Sequence, residues 1–313
     1  MTSPRLSSAP LRGRDDLRAI ESIVSGAWAA PDHGLVSCTV GDLEWWLAGA
    51  GPGVDWTERV RWWSLDGRPA GWAWLAPPST VDWFVRPGLD AADADLIRDE
   101  IDAWHTERVQ TAAASPAIPS APRVLEQWSI EGSAAAARLV ERGWNPTETR
   151  LTQYGHRLDL DLDPPRAPDG YAVRSLRGAE DIPARVDVHR AAFAPSQLTV
   201  EKYAILVDQD HYAFDHDIVV EAPDGSFAAF AMCWIDPAGS VGEFEPVGTH
   251  PDHQRRGLGR VIMRHGLRLM RAAGLREAIV FSLRSNAASE ALYRSAGFDE
   301  LAIHRLFSRS LEG

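Results

Sequence analysis

The sequence predicts an α+β protein made of two tandem copies of one domain, each a mixed, mostly antiparallel sheet flanked by helices. Three observations predict it. First, the chain starts twice: the stretch from Leu11 to Val24 reads as a short strand and an amphipathic helix, and the stretch from Val173 to Phe193 repeats that passage. Second, Arg68–Leu75 echoes Ser226–Ile235, Val85-Arg86-Pro87 echoes Thr249-His250-Pro251, and Leu139–Trp144 echoes Tyr293–Phe298. These echoes keep an offset of about 155–165 residues, as an internal repeat requires. Third, the proline-rich stretch Asp163–Gly170 reads as a linker. The predicted division is residues 1–162, a linker over 163–170, and residues 171–313, and 313 residues suit two domains of about 150.

In order, the first copy places Leu17, Ile20, Ile23 and Val24 on one side of its opening helix. Thr111–Pro122, rich in Pro, Ala and Ser, reads as an exposed loop of disordered composition, and Leu151–Leu162 as the copy's last strand. Twelve of the thirteen tryptophans fall in this copy, which points to core packing more than to a substrate wall. In the second copy, Thr199–Val207 reads as a mobile helix or loop covering the substrate side. Ile218–Glu221 and Phe227–Ile235 read as a hairpin across Pro223–Ser226. Gly239–Thr249 is the next strand, Ala278–Leu283 a strand beside it, and Leu301–Ser308 the last.

Composition excludes several classes. A net charge of −12 argues against a nucleic-acid surface and suits a cationic substrate such as an amine. No run approaches the ~20 apolar residues of a membrane span. The opening Met-Thr-Ser-Pro-Arg has no apolar stretch, so a cytoplasmic location is expected, with no membrane partner. Cys38 and Cys233 lack metal-ligand spacing and read as buried small hydrophobes, so no metal is expected.

Against this acidic background, Val247–Arg260 runs Val-Gly-Thr-His-Pro-Asp-His-Gln-Arg-Arg-Gly-Leu-Gly-Arg, a strand passing through a proline turn into a glycine loop that opens a helix. Helix N-termini leave N–H groups unpaired and carry partial positive charge, so such a loop can cradle an anion. Gly257 and Gly259 allow close backbone approach, and Arg255, Arg256 and Arg260 add charge. Leu258, Ile262, Met263, Leu267, Leu269 and Met270 have helical spacing, and Gly274 stands where a C-cap is expected.

At Gln254, Gly257 and Gly259 the chain resembles the GNAT superfamily of N-acetyltransferases. A second motif, Asn286 to Phe298, with Leu292-Tyr293 and Gly297-Phe298, matches the family's later element. The resemblance is specific in the second copy and faint in the first, where Gly88-Leu-Asp-Ala-Ala-Asp-Ala-Asp lacks a second glycine and puts carboxylates where phosphates would sit. It implies a degenerate first copy and acetyl-CoA as co-substrate of the second. It implies backbone contacts to the thioester and pantetheine arm from Val247, Gly248 and Thr249, and a pyrophosphate held by the backbone of Arg255, Arg256, Gly257, Leu258, Gly259 and Arg260 next to Gln254. It also implies that Tyr293 is the acid for the leaving thiolate, Glu243 the base with Glu245 as second choice, and Asn286 a ligand of the pantetheine arm. Other roles remain open: solvated carboxylates for the glutamates, a core ring for Tyr293 and a helix cap for Asn286. Glu243 and Glu245 share a face unless a bulge intervenes. His250 and His253 match no catalytic position and read as surface residues. The implied activity is direct acetyl transfer to a primary amine. The acceptor is a small molecule such as a mycothiol precursor or an aminoglycoside, or else a protein N-terminus, and a non-catalytic acyl-CoA sensor is the alternative.

Overall fold

The computed structural model describes residues 5–31, 35–114 and 123–311. By internal contacts the chain divides into two units: Met1–Cys38, Asp55–Leu151 and Ala302–Gly313 form one, and Thr39–Val54 with Thr152–Leu301 form the other. These units do not follow chain order, because Thr39–Val54 belongs to the second and Ala302–Gly313 to the first.

In the first unit the strands are β1 (Leu6–Pro10), β2 (Val60–Leu65), β3 (Arg68–Ala76), β4 (Thr80–Val85), β5 (Val124–Ile130) and the later part of β12 (Asp299–Ser310), in the order β1-β2-β3-β4-β5-β12. The opening strand precedes Leu11 instead of including it, because Leu6–Pro10 pairs antiparallel with β2 and the helix α1 (Arg14–Ala29) starts soon after. Thr111–Ala114, expected in a loop, form the last turn of α3 (Ala91–Ala114); the rest of that expected loop lies outside the described residues. Trp63, Trp104 and Trp144 join Ile97, Ile101, Leu125 and Leu139 in the core, which gives these tryptophans their packing role.

The second unit orders its strands β6-β11-β10-β9-β8-β7, with the later part of β6 (Asn145–Arg157), β7 (Ala172–Ser175), β8 (Asp217–Glu221), β9 (Phe227–Asp236), β10 (Val241–Thr249) and β11 (Glu277–Leu283). The expected hairpin is β8 with β9, paired from Asp217↔Met232 to Glu221↔Phe227. On one face lie α7 (Leu258–Ala272) and α8 (Ala287–Ser295), packed over Ala231, Cys233 and Phe244. On the other lie α5 (Ile182–Ala192), α6 (Val200–Val207) and α2 (Val40–Ala50), packed over Met232 and Trp234. The stretch expected to be a mobile cover is thus the helix α6, capped by Thr199, with Tyr203 and Leu206 fully buried.

The predicted repeat is visible in the backbone. At the end of α4 (Ala134–Glu141), Trp144 N–H reaches Leu139 O at 3.0 Å and Gly143 N–H reaches Val140 O at 3.0 Å. At the end of α8, Phe298 N–H reaches Tyr293 O at 3.0 Å and Gly297 N–H reaches Arg294 O at 3.1 Å. Both are Schellman ends, with a left-handed glycine (φ 81 and 95) and an apolar residue turning back onto the helix.

α7 sits close to the sheet because Gly266 has no side chain. A Cβ there would meet Phe244 Cε1 at 2.2 Å and Cys233 Sγ at 2.8 Å. Gly266→Ala should therefore lower stability by about 1–3 kcal/mol through overpacking, despite the ~1 kcal/mol that alanine gains in helix propensity. Guanidinium unfolding would register this as a lower midpoint, and an unchanged or raised midpoint would contradict the packing account.

Candidate active site in the second unit

β10 and β11 run parallel and pair only from Val241↔Glu277 to Glu243↔Ile279, although β10 continues to Thr249 and β11 to Leu283. Beyond Glu243 the ladder stops, so the β10 edge at Val247, Gly248 and Thr249 carries no strand on the β11 side. A bulge accompanies the break. Phe244 opposes Cys233 and Val247 opposes Ala231, so Glu245 and Pro246 together face one residue of β9. Proline brings no N–H to a ladder, which suits it to this position. Trp234 Nε1 donates to Glu245 O at 2.8 Å across the bulge.

The bulge re-aims the residues after it and leaves the two glutamates together. Gly242 and Phe244 point toward α7, and so does Val247, whereas Gly248 points at Phe230 and Ala192. Glu243 and Glu245 stay on the α2 side, where both feel the Asp42 carboxylate. Glu243 is buried, and Thr39 Oγ1 donates to its Oε2. Burial, then Asp42 and Glu245, push the Glu243 carboxyl well above the usual range, while the Thr39 hydrogen bond pulls the other way. Burial first, and then Asp42, push half-buried Glu245 up to about 8. A carboxyl titrating near neutral pH is suited to taking and releasing protons.

Tyr293 is buried on α8 between Tyr154 (5.5 Å between ring centroids) and Phe298 (6.2 Å). Its phenol is raised above its ordinary value by burial and then by Glu245, with a hydrogen bond to Ser289 opposing. The ring has the packing of a core aromatic, while its hydroxyl lies within the electrostatic reach of Glu245.

The loop from His250 to Gly257 delivers α7 to the site. Gly257 is its N-cap in the left-handed region at φ 78, a conformation for which glycine is suited, and a Cβ there would meet nothing within 4 Å. No described side chain caps α7. Among the described residues, no acceptor meets the N–H groups from Arg255 to Arg260, and no carboxylate pairs with Arg255, Arg256 or Arg260, all exposed. This is the loop at which the sequence implies an anion cradle. Gly259 differs in its reason: a Cβ there would meet Leu292 of α8 at 3.0 Å, so it serves helix packing as well. Gln254 Nε2 donates to Thr249 O at 3.5 Å, tying the loop to the strand end. His250 Nδ1 accepts the Asp252 N–H at 3.2 Å, and His253 Nδ1 hydrogen-bonds Tyr171 OH at 3.0 Å, so both histidines shape the turn. Asn286 caps α8, its Oδ1 accepting the Ser289 N–H at 3.2 Å.

The first unit repeats the strand break but not the cradle. β4 pairs with β5 in parallel only at Thr80↔Glu126 and Val81↔Gln127. Ahead of α3, however, Asp90 Oδ1 accepts the Asp93 N–H at 2.8 Å, and buried Asp93 pairs with Arg5 at 2.7 Å. Its helix N-terminus is already occupied by carboxylates.

Residues 185–298 match the family model described as the acetyltransferase (GNAT) family. They form a GNAT domain. It lies within the second unit and includes the strand break, the cradle, Glu243 and Tyr293. Among curated relatives, the mycothiol acetyltransferase of Saccharomonospora viridis is 32% identical over 187 residues, 56% of this chain and 61% of that protein. The mycothiol acetyltransferase of Tsukamurella paurometabola is 33% identical over 190 residues, 56% of this chain and 63% of that protein. The chain thus spans about three fifths of the length of these relatives. A GCN5-related N-acetyltransferase from Sphaerobacter thermophilus shares the fold at TM-score 0.66 and 16% identity, covering 100% of this chain and 98% of that one. A tandem GNAT protein from the clavulanic acid biosynthesis pathway does so at TM-score 0.67 and 15% identity, covering 98% and 99%. The tandem α+β architecture expected from the sequence is therefore shared with known GNAT proteins.

The sequence reading missed Thr39 and Asp42, which join the GNAT domain's Glu243 from outside its matched span. The signal was Thr39-Val-Gly-Asp42, a capping-box pattern at a helix start.

Proposed function

We propose that this chain is an N-acetyltransferase that binds acetyl-CoA in its second unit and transfers the acetyl group directly to a primary amine. The observation that carries the reading is the uncapped N-terminus of α7, with N–H groups unpaired and three arginines without carboxylate partners among the described residues, at the end of a strand whose edge has lost its neighbour. The cradle fits a pyrophosphate, and the N–H groups of Arg255 to Arg260 would hold it. The unpaired β10 edge at Val247, Gly248 and Thr249 would meet the pantetheine arm and polarise the thioester carbonyl, where fixed donors stabilise developing charge. Asn286, whose amide nitrogen has no partner among the described residues, would join them.

Glu243 takes the amine proton, directly or through one water, with Glu245 as the second candidate. The nitrogen lone pair forms the C–N bond as the C–S bond breaks, and Tyr293 gives its proton to the leaving thiolate. Asp42, Glu243 and Glu245 make the acceptor side acidic, which draws a cationic amine. The relatives' name, mycothiol acetyltransferase, favours a small-molecule acceptor over a protein N-terminus.

Calorimetric titration with acetyl-CoA should find one site per chain, because the first unit's helix N-terminus is filled by Asp90. Arg256→Glu together with Arg260→Glu should weaken binding by about 10–100-fold, the loss of one or two charge-assisted contacts. These exposed residues test the cradle more cleanly than Gly259→Asp, which would also push on Leu292. Two equal sites, or unchanged affinity in the double variant, would sink the assignment.

A further inference from the structure

The start of α2 constrains the Glu243 carboxyl more tightly than a single hydrogen bond suggests. Thr39 is the helix N-cap, and its Oγ1 accepts the N–H groups of Gly41 at 3.1 Å and Asp42 at 3.3 Å. Asp42 Oδ2 returns the contact by accepting the Thr39 N–H at 2.8 Å. A hydroxyl has two acceptor lone pairs and one proton to donate. Both lone pairs are taken, and the proton is donated to Glu243 Oε2. Oε2 is then an acceptor whether or not Glu243 is protonated, and any proton the carboxyl carries sits on Oε1. Oε1 is buried and has no hydrogen-bond partner among the described residues, a condition that buried polar atoms rarely tolerate without a reason.

We propose that Thr39 is a positioning residue: the capping box turns its hydroxyl onto Oε2, which pins the carboxylate and leaves Oε1 as the atom that takes the proton from the acceptor amine. This rests on the reading of Glu243 as the base. The α2 segment is thereby part of the reaction machinery, although it stands outside the matched family span. The charged groups facing Glu243 are Asp42 from α2 and Glu245 from its own strand, both raising its titration, with the Thr39 hydroxyl lowering it.

The test is the titration of the Glu243 side-chain carboxyl by NMR on full-length protein carbon-13 labelled at glutamate, with the signal assigned by its loss in Glu243→Gln. Thr39→Val keeps the shape and removes the hydroxyl, so the midpoint should rise by about one pH unit, the scale of a hydrogen bond to a charged group. Thr39→Ser keeps the hydroxyl and should hold the wild-type midpoint. Should Thr39→Val fail to fold, Thr39→Gly replaces it, because glycine at an N-cap costs only a few tenths of a kcal/mol. A midpoint that does not move without the hydroxyl, or that moves as far in Thr39→Ser as in Thr39→Val, overturns the role of Thr39. Glu243→Gln turnover separates the two claims: an enzyme as fast as wild type removes the base itself, whereas a slow one beside an unmoved Thr39→Val titration overturns only the positioning.

Discussion

Tyr293→Phe should lower turnover by about 10²–10⁴-fold, the usual worth of a general acid, while acetyl-CoA affinity changes little. The ring remains packed between Tyr154 and Phe298, so the substitution removes one oxygen and little else. Burial and Glu245 hold the phenol protonated across the working range, so the deficit should not vary with pH. Glu243→Gln should lose turnover on a similar scale, but its deficit should shrink as pH rises and more of the acceptor amine is already neutral. The pH–rate profiles of the two variants distinguish the roles. A Tyr293→Phe enzyme within a few-fold of wild type would return Tyr293 to a packing role, and a pH-independent Glu243→Gln deficit would do the same for Glu243.

Asp217→Ala should cost about 3–5 kcal/mol of stability, because it strands a fully buried cation. Arg185 of α5 is completely buried, and its Nε donates to Asp217 Oδ1 at 2.9 Å. Tyr203 of α6 also donates to Asp217, and Tyr212 does so at 3.4 Å. Among the described residues the Arg185 terminal nitrogens have no hydrogen-bond partner, and the guanidinium instead lies 3.8 Å from the Phe230 ring centroid. With Asp217 gone, the Phe230 ring and the Tyr203 ring, 5.6 Å away, are the main remaining compensation, on the order of 2 kcal/mol for a desolvated contact. Chemical unfolding of Asp217→Ala and of Asp217→Ala with Arg185→Met tests the argument. The double variant should recover stability over the single one, and a double variant as unstable as the single would show that the stranded charge is not the cause.

The readable part of the sequence was local. α7, its glycine loop and the Gly297-Phe298 end are short-range patterns of spacing and backbone demand, and each appears where the residues put it. The repeat was legible for the same reason, since Gly143-Trp144 and Gly297-Phe298 impose the same helix end twice. The bulge was legible only as a possibility. Pro246 marks it, but spacing alone did not reveal that it would begin at Glu245, keep both glutamates on the α2 side and reverse Val247 and Gly248. The Thr39 contact was not legible, because it joins residues 204 apart and depends on Thr39–Val54 belonging with the second unit. The early position of β1 was missed because Leu6–Pro10 shows little apolar alternation and gains its strand identity from pairing with β2.

The most direct measurement is amine-dependent release of the CoA thiol from acetyl-CoA across a panel of small primary amines, with mass detection of the acetylated product. The account predicts release in step with acetylated amine for at least one member of the panel, lost together in Tyr293→Phe and in Glu243→Gln at neutral pH. Tight acetyl-CoA binding with no amine-dependent release from any member would contradict it and leave a protein that binds an acyl-CoA without turning it over.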